Sequence, residues 1–260
     1  MSRFKLIGLF LFLLVAIGYW IFAGSKKYPL PTESYYINDY ADALLMSTRS
    51  TIARESERLY NFSQDYELPG TQIVFTTFLV DNVNEISEYD KTEIYREWGI
   101  GNNDMGFLLI MFFTQEGDNL SLVGTKWEPG YRMEQFLPPS RVNSILENSI
   151  YSDEYIDSLD MAVANCLYRI LEVVYVNVYG QLNFNFDMDM YYDYMINYDR
   201  DEFYDTKPMS MFSYLFSENA FIFDQVFFFL PAALFVTVGG FGIFKAGGGR
   251  SGGLGGFKRR

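Results

Sequence analysis

Residues 98–110 read WGIGNNDMGFLLI, and this stretch constrains the fold more than any other part of the sequence. Gly99 and Gly101 end an amphipathic helical pattern, since glycine is favoured where a helix stops. A short polar turn containing Asp104 follows, and Gly106 opens a continuous run of large apolar residues. The stretch therefore predicts a helix, a tight turn and a buried strand in direct succession.

The pattern on either side of this stretch predicts a mixed α/β domain. Helical spacing and helix-start signals mark four helices, with Ser47 as the N-cap of the first. β-Branched, aromatic or continuously apolar runs mark three strands, and a hairpin turn joins the last two. The helices cover about 47–66, 84–98, 139–150 and 153–179, and the strands about 71–80, 107–113 and 120–123. This order predicts a small mixed sheet sandwiched by helices.

Two scarce residue types exclude several kinds of site. The chain has one cysteine, Cys166, so an internal disulfide and a cysteine-rich zinc site are excluded. It has no histidine, which excludes a histidine general base, a catalytic triad built on histidine and imidazole metal ligands. Cys166 falls on the apolar stripe of the last predicted helix, where an inert core thiol is expected.

Acidic residues are concentrated in the middle of the chain. Residues 28–220 contain 32 of the 33 Asp and Glu but only 11 of the 20 Lys and Arg. Nucleic acid is not an expected partner, because its phosphates would be repelled. The other nine basic residues lie at the two ends, and basic ends around an acidic middle indicate a membrane topology.

Two apolar runs predict membrane helices. Residues 6–23 would span about 27 Å as a helix, close to the ~30 Å hydrocarbon core of a bilayer. Residues 1–27 are therefore predicted to be a membrane anchor, with a cleaved signal peptide as the alternative. Residues 226–244 carry no charge, and they predict a second membrane helix within 221–245.

The basic, glycine-rich tail over 246–260 sets the predicted orientation. Positive charge beside a membrane helix favours the cytoplasmic side, so this tail is expected in the cytoplasm. The acidic domain is then expected on the outer face of a plasma membrane, in a bacterial cell. Residues 28–36 read as an extended spacer, and 180–220 as a connector rich in Tyr, Asn and Asp.

Three motifs resemble the TPM-domain family, whose members are extracytoplasmic and usually membrane-tethered α/β domains. Residues 38–44 (NDYADAL) are similar to the N-D-x-A-x-x-L opening of the family, and 71–75 (TQIVF) to its first long strand. Residues 98–110 are similar to its core signature. The resemblance implies a TPM-like α/β domain over 37–179.

The resemblance also implies a cluster of acidic residues that holds Ca²⁺ or Mg²⁺, with weak phosphatase activity. The positions that correspond are Asp39, Asp42, Asp104 and Glu128. Hard oxygen ligands suit both ions. The alternative is a structural role, in which Asp39 and Asp42 cap a helix and Asp104 closes a turn.

The sequence departs from the family pattern at two places close to this cluster. Lys126 stands where the family motif V-G-x-G-x-E has its second glycine. Residues 137–139 (LPP) lack the acid of the L-x-D segment that follows in most members. A fold tolerates such changes more readily than a ligand site does.

Two functions of different class follow from the sequence. A non-enzymatic accessory or interaction module for another membrane or envelope protein is favoured, because histidine is absent and the acidic motif is incomplete. The alternative is a divalent-metal-dependent acid phosphatase. Asp187 and Asp189 form a D-x-D pair like a phosphatase nucleophile motif, but they lie in the connector, so a chance match is expected.

Overall fold

A four-stranded sheet forms the centre of the structure, a computed structural model that describes residues 27–217, 220, 225 and 226. The strand order is β1-β2-β3-β4. The first three strands are parallel, and β4 pairs with β3 in the antiparallel sense through a tight hairpin. The strands are β1 (Ile37–Asp39), β2 (Gln72–Leu79), β3 (Gly106–Glu116) and β4 (Asn119–Pro129). The predicted mixed α/β class is confirmed.

Both faces of the sheet are covered, which explains the continuous apolar run of β3. Alternate side chains of β3 point to opposite faces, as the pleat of a strand requires. Phe107, Leu109 and Met111 join one buried cluster, whereas Leu108 and Ile110 join the other. A strand buried on both sides has no polar face, so its sequence does not alternate.

Helices from both halves of the chain cover these faces. They are α1 (Met46–Ser63), α2 (Lys91–Glu97), α3 (Pro139–Glu147), α4 (Leu159–Val173), α5 (Met188–Ile196) and α6 (Met211–Leu215). Ile52 of α1 and Leu167 of α4 belong to the first cluster. Ile94 and Trp98, in and after α2, belong to the second. The predicted sandwich of helices around a mixed sheet is therefore present.

The turn between α2 and β3 has the form that its glycines predict. Gly99 and Gly101 adopt φ of 64° and 75°. Asn103 and Asp104 also have positive φ, of 53° and 62°. A Cβ on Gly101 would overlap the backbone nitrogen of Gly106, so this close approach requires glycine.

Two predicted helices are shorter than the sequence indicates. The helix expected over 84–98 divides into a 3₁₀ helix (Val83–Glu88) and α2, because Asp90 accepts hydrogen bonds from the backbone amides of Thr92 (2.9 Å) and Glu93 (3.1 Å) and starts a new helix. The helix expected over 153–179 begins instead at Leu159, after a 3₁₀ turn (Asp153–Tyr155), and it ends in a π-helical turn (Val174–Val178).

The start of α1 also differs from the prediction. The N-cap residue is Leu45 rather than Ser47, and it has no polar side chain to offer. Asp160 of α4 takes that role from another helix: its Oδ1 accepts hydrogen bonds from the Leu45 amide (2.9 Å) and from the Thr48 hydroxyl (2.5 Å). A carboxylate at this position also suits the positive end of the helix dipole.

The segment predicted as a connector, 180–220, contains described residues that lie against the polar face of α1. The hydroxyl groups of Tyr191 and Thr48 form a hydrogen bond of 2.7 Å. The Ser50 hydroxyl donates to Glu202 (2.6 Å) and accepts from Tyr194 (3.2 Å). These contacts give the buried hydroxyls of Thr48 and Ser50 hydrogen-bond partners. Residues 28–220 group together as one compact unit.

The predicted membrane helices fall outside the described residues, apart from Val226. Within the described part of the chain, one helical stretch (Leu159–Val178) is long and apolar enough to cross a membrane. It belongs to the domain core, where more than half of it is buried. The two membrane helices therefore stay predictions.

Candidate functional site

Asp39, the last residue of β1, is held by four hydrogen-bond donors. Its Oδ1 accepts from the Ala43 amide (3.0 Å) and the Thr77 hydroxyl (2.6 Å). Its Oδ2 accepts from the Leu44 amide (2.9 Å) and from Arg49 Nε (2.8 Å). The side chain of Asp39 is 1% exposed, so its charge is balanced by the protein rather than by water.

Arg49 joins Asp39 to Asp42. Its Nη2 lies 2.7 Å from Asp39 Oδ2 and also pairs with Asp42 Oδ1. The guanidinium is 7% exposed, whereas the Asp42 side chain is 74% exposed. Asp42 has a positive φ of 52°, a conformation that aspartate tolerates better than most residues. The pairing gives both carboxylates a structural role in the loop between β1 and α1.

Asp104 and Glu128 lie at another part of the sheet. Asp104 ends the turn before β3, and Glu128 pairs with Leu108 in the β3–β4 ladder. Glu128 forms an ion pair with Lys91 (2.9 Å) and accepts a hydrogen bond from the Thr92 hydroxyl (2.9 Å). Glu128 Oε2 therefore faces Lys91, and Glu128 Oε1 faces Thr92.

Tyr95 lies close enough to Asp104 and Glu128 for both charges to act on its hydroxyl. Burial raises the pKa of its hydroxyl, and the negative charges of Asp104 and Glu128 raise it further. A Cβ on Gly106 would come within 2.6 Å of the Tyr95 hydroxyl oxygen, and one on Gly130 would overlap it. The Tyr95 hydroxyl therefore stays protonated. It lies beside Gly106, the first residue of β3, and Gly130, which follows the last residue of β4.

The strand register separates the four carboxylates into two pairs. Asp39 lies beside Thr77, and Gly106, two residues after Asp104, lies beside Gln72. Gln72 and Thr77 are five residue steps apart, which corresponds to about 16 Å along the strand. Within the described part of the chain, no three His, Cys, Asp or Glu side chains come close enough together to hold a metal ion. The four carboxylates therefore lie in two separate pairs.

Lys126 shows what replaces the second glycine of the family motif. Its ammonium donates hydrogen bonds to the carbonyl oxygens of Ile86 (2.5 Å) and Tyr89 (2.6 Å). Ile86 lies within the 3₁₀ helix Val83–Glu88, and Tyr89 follows that helix, before α2 begins. The lysine therefore binds backbone groups of a neighbouring loop, at a position where glycine could offer no side chain.

The remaining candidate nucleophiles have structural roles. Asp187 is the N-cap of α5, and its Oδ1 accepts from the amides of Asp189 (2.9 Å) and Met190 (3.4 Å). The D-x-D pair thus starts a helix. Burial raises the pKa of the Cys166 thiol to about 12, so the thiolate is not populated near neutral pH.

Sequence reasoning missed Arg49 and Asp160. Arg49 lies in a helix with many polar residues, where an exposed arginine would look the same in sequence. Asp160 is the second residue of α4, whose own N-cap is Ser158, so its contact with α1 depends on how the helices pack. The only available signal was that Arg49 is one of few basic residues in an acidic domain.

Comparisons with known proteins add little to this description. No family model and no curated protein matches the chain. One similar solved structure is the solution NMR structure of the N-terminal domain of a protein from P. gingivalis. It is 14% identical, and the match covers 56% of this chain and 85% of that one with a TM-score of 0.43. At this level the likeness carries no argument about function.

Proposed function

We propose that this chain is a membrane-anchored, extracytoplasmic domain of the TPM type that acts as a non-enzymatic accessory or interaction module for another membrane or envelope protein. The observation that carries the proposal is the buried Asp39–Arg49 pair. A carboxylate that accepts four internal hydrogen bonds has no free oxygen with which to bind a metal or activate a substrate. The sequence resemblance to the TPM family supports the domain type.

The location rests on charge and hydropathy. Residues 6–23 and 226–244 supply the two membrane helices, and the basic tail after them is cytoplasmic by the positive-inside rule. The domain over 28–220 is then on the outer face of a bacterial plasma membrane. A reporter that is active only outside the cytoplasm, fused after Arg260, tests this topology: it stays silent if the account is right, and activity there refutes the two-helix arrangement.

Exposed apolar side chains support a protein partner. Seven large hydrophobic residues are exposed between 182 and 216, a short part of the described chain: Leu182, Met190, Tyr192, Ile196, Phe203, Phe212 and Phe216. The rings of Phe212 and Phe216 lie 4.8 Å apart at an angle of 52°, and both side chains remain about 60% exposed. Concentrated apolar exposure of this kind marks interaction surfaces in proteins.

Photo-crosslinking in intact cells tests the interaction. A photoreactive phenylalanine analogue at position 212 or 216 is expected to give one discrete adduct with a membrane or envelope protein. The matched control is position 131, where Tyr131 is 82% exposed. Adducts at 131 alone, or the same set of adducts at all three positions, would contradict a specific interaction through this surface.

The second candidate function is a phosphatase that depends on Ca²⁺ or Mg²⁺. The observation in its favour is that Asp104 and Glu128 both act electrostatically on the buried Tyr95. An ion there would have two carboxylates, one of them already paired with Lys91. That partnership weakens the candidate, and a phosphatase assay with and without the metal decides between the two functions.

A further inference from the structure

A groove of about 720 Å³ lies between α1, α4 and the segment that leads into α5. This volume is within the range of small-molecule sites. Two stacked pairs of rings form one of its walls, Tyr168 with Phe186 at 5.2 Å and Tyr175 with Phe184 at 4.9 Å. Stacking of this kind holds the wall in place, so the groove is preformed.

Arg54 brings to the groove a positive charge that forms no ion pair with the described residues. Its Nε is buried and has no hydrogen-bond partner, and the guanidinium lies 5.2 Å from the centre of the Tyr194 ring. Arg54 also borders a smaller cavity that contains Glu33 and Glu57. Among the described residues neither of these carboxylates forms an ion pair with it. A partly buried donor without an acceptor is costly unless a ligand supplies one.

The other three charged groups of the groove have partners within the protein. Arg58 pairs with Glu55 at 3.8 Å, one turn away on α1. The Asp187 carboxylate accepts hydrogen bonds from two backbone amides as the N-cap of α5. Two arginines and two acidic residues thus line the groove, and Arg54 is the one of the four without an ion pair or a hydrogen bond to the described residues, within a domain that is strongly acidic overall.

We propose that this groove binds a small monocarboxylate with an aromatic ring. The carboxylate accepts two parallel hydrogen bonds from Arg54, the geometry for which a guanidinium is best suited. The ring packs against the Tyr and Phe side chains of the wall. A phosphate would bring a second negative charge close to Glu55 and Asp187, so a single carboxylate fits better. This site is independent of the interaction role proposed above.

The test uses the intact chain in detergent and three probes: benzoate, phenylacetate and indole-3-propionate. At about 5 mM, at least one probe is expected to raise the unfolding temperature, because a ligand that binds only the folded state stabilises it. Acetate, which has no ring, and the amide of the active probe, which has no charge, are expected to bind at least about tenfold more weakly in calorimetric titration.

Arg54→Gln is expected to weaken binding of the active probe about tenfold or more. The matched control is Arg132→Gln, since Arg132 is exposed and outside the groove; its affinity should stay within about twofold of the wild type. The comparison of the acid with its amide uses the wild-type protein, so it tests whether the groove requires a carboxylate even if Arg54→Gln unfolds. The proposal is overturned if no probe shifts the unfolding temperature, if the amide binds as well as the acid, or if folded Arg54→Gln binds normally.

Discussion

The guanidinium of Arg49 lies 2.7 Å from the carboxylate of Asp39, and both side chains are almost completely shielded from solvent. The pair connects the last residue of β1 to the first turns of α1. Two charges removed from water in this way depend on each other, because either one alone would remain buried and unpaired.

Arg49→Ala is expected to lower the free energy of unfolding by about 3–5 kcal/mol, because it leaves the Asp39 carboxylate buried without its counter-ion. Urea unfolding followed by circular dichroism measures the loss. The matched control is Asp42→Asn, which removes the exposed partner of the same arginine and should cost about 1 kcal/mol or less. Equal losses of unfolding free energy in the two variants would show that the buried Asp39–Arg49 pair contributes no more to stability than the exposed pair with Asp42.

Gly101→Ala is expected to cost about 2 kcal/mol more than Gly117→Ala. Both glycines have positive φ, 75° and 64°, so both variants strain the backbone to a similar extent. A Cβ on Gly101 would also overlap the backbone of Gly106, whereas one on Gly117 meets nothing within 4 Å. Thermal unfolding of both variants checks the difference, and equal stabilities would mean that the turn before β3 is less tightly packed than described.

The glycine turn, β2 and β3 could be predicted from sequence because their signals are local, whereas β4 was predicted only over 120–123 and extends to Pro129. Gly99 and Gly101 stop a helix, and the apolar run after Gly106 is too long and continuous to be anything exposed. The three-residue strand β1 was not predicted, since so short an element has no periodicity to detect. It becomes a strand only because β2 is there to pair with it.

The arrangement of the candidate site could be predicted less well than the fold. The four carboxylates were identified from a resemblance, which says nothing about which donors surround each of them. The pairing of Asp39 with Arg49 and the capping of α1 by Asp160 both depend on how separate elements pack. The isolation of Arg54 depends likewise on where every acidic side chain lies.

Asp160→Asn is expected to change how stability depends on pH. Burial raises the pKa of the Asp160 carboxyl above its ordinary value of 3.8, although the Thr48 hydroxyl partly opposes this. The folded state then binds more protons than the unfolded state above pH 3.8, so the contribution of Asp160 to stability falls as the pH rises through the folded pKa. Asparagine cannot ionise, and it keeps an oxygen that can accept the same hydrogen bonds.

The stability of Asp160→Asn relative to the wild type should therefore increase as the pH rises through that window, and then level off. Urea midpoints measured for both proteins at a series of pH values test this. A variant that loses relative stability over the same range would mean that the folded pKa is lowered instead of raised.

Cys166 is expected to resist thiol reagents while the domain is folded. Its thiol is buried on the core side of α4, and a pKa of about 12 leaves almost no thiolate. Reaction with an aromatic disulfide reagent at about pH 8 should therefore be as slow as unfolding, and fast in denaturant. Stoichiometric labelling of the native protein within seconds would place the thiol at the surface.

A phosphatase assay on the intact chain tests whether Asp39, Asp42, Asp104 and Glu128 have structural roles and do not catalyse. Hydrolysis of p-nitrophenyl phosphate is measured with Mg²⁺, with Ca²⁺ and with a chelator, for the wild type and for Asp104→Ala. We expect no turnover above the chelator control and no difference between the two proteins. Metal-dependent turnover that Asp104→Ala abolishes would contradict the account.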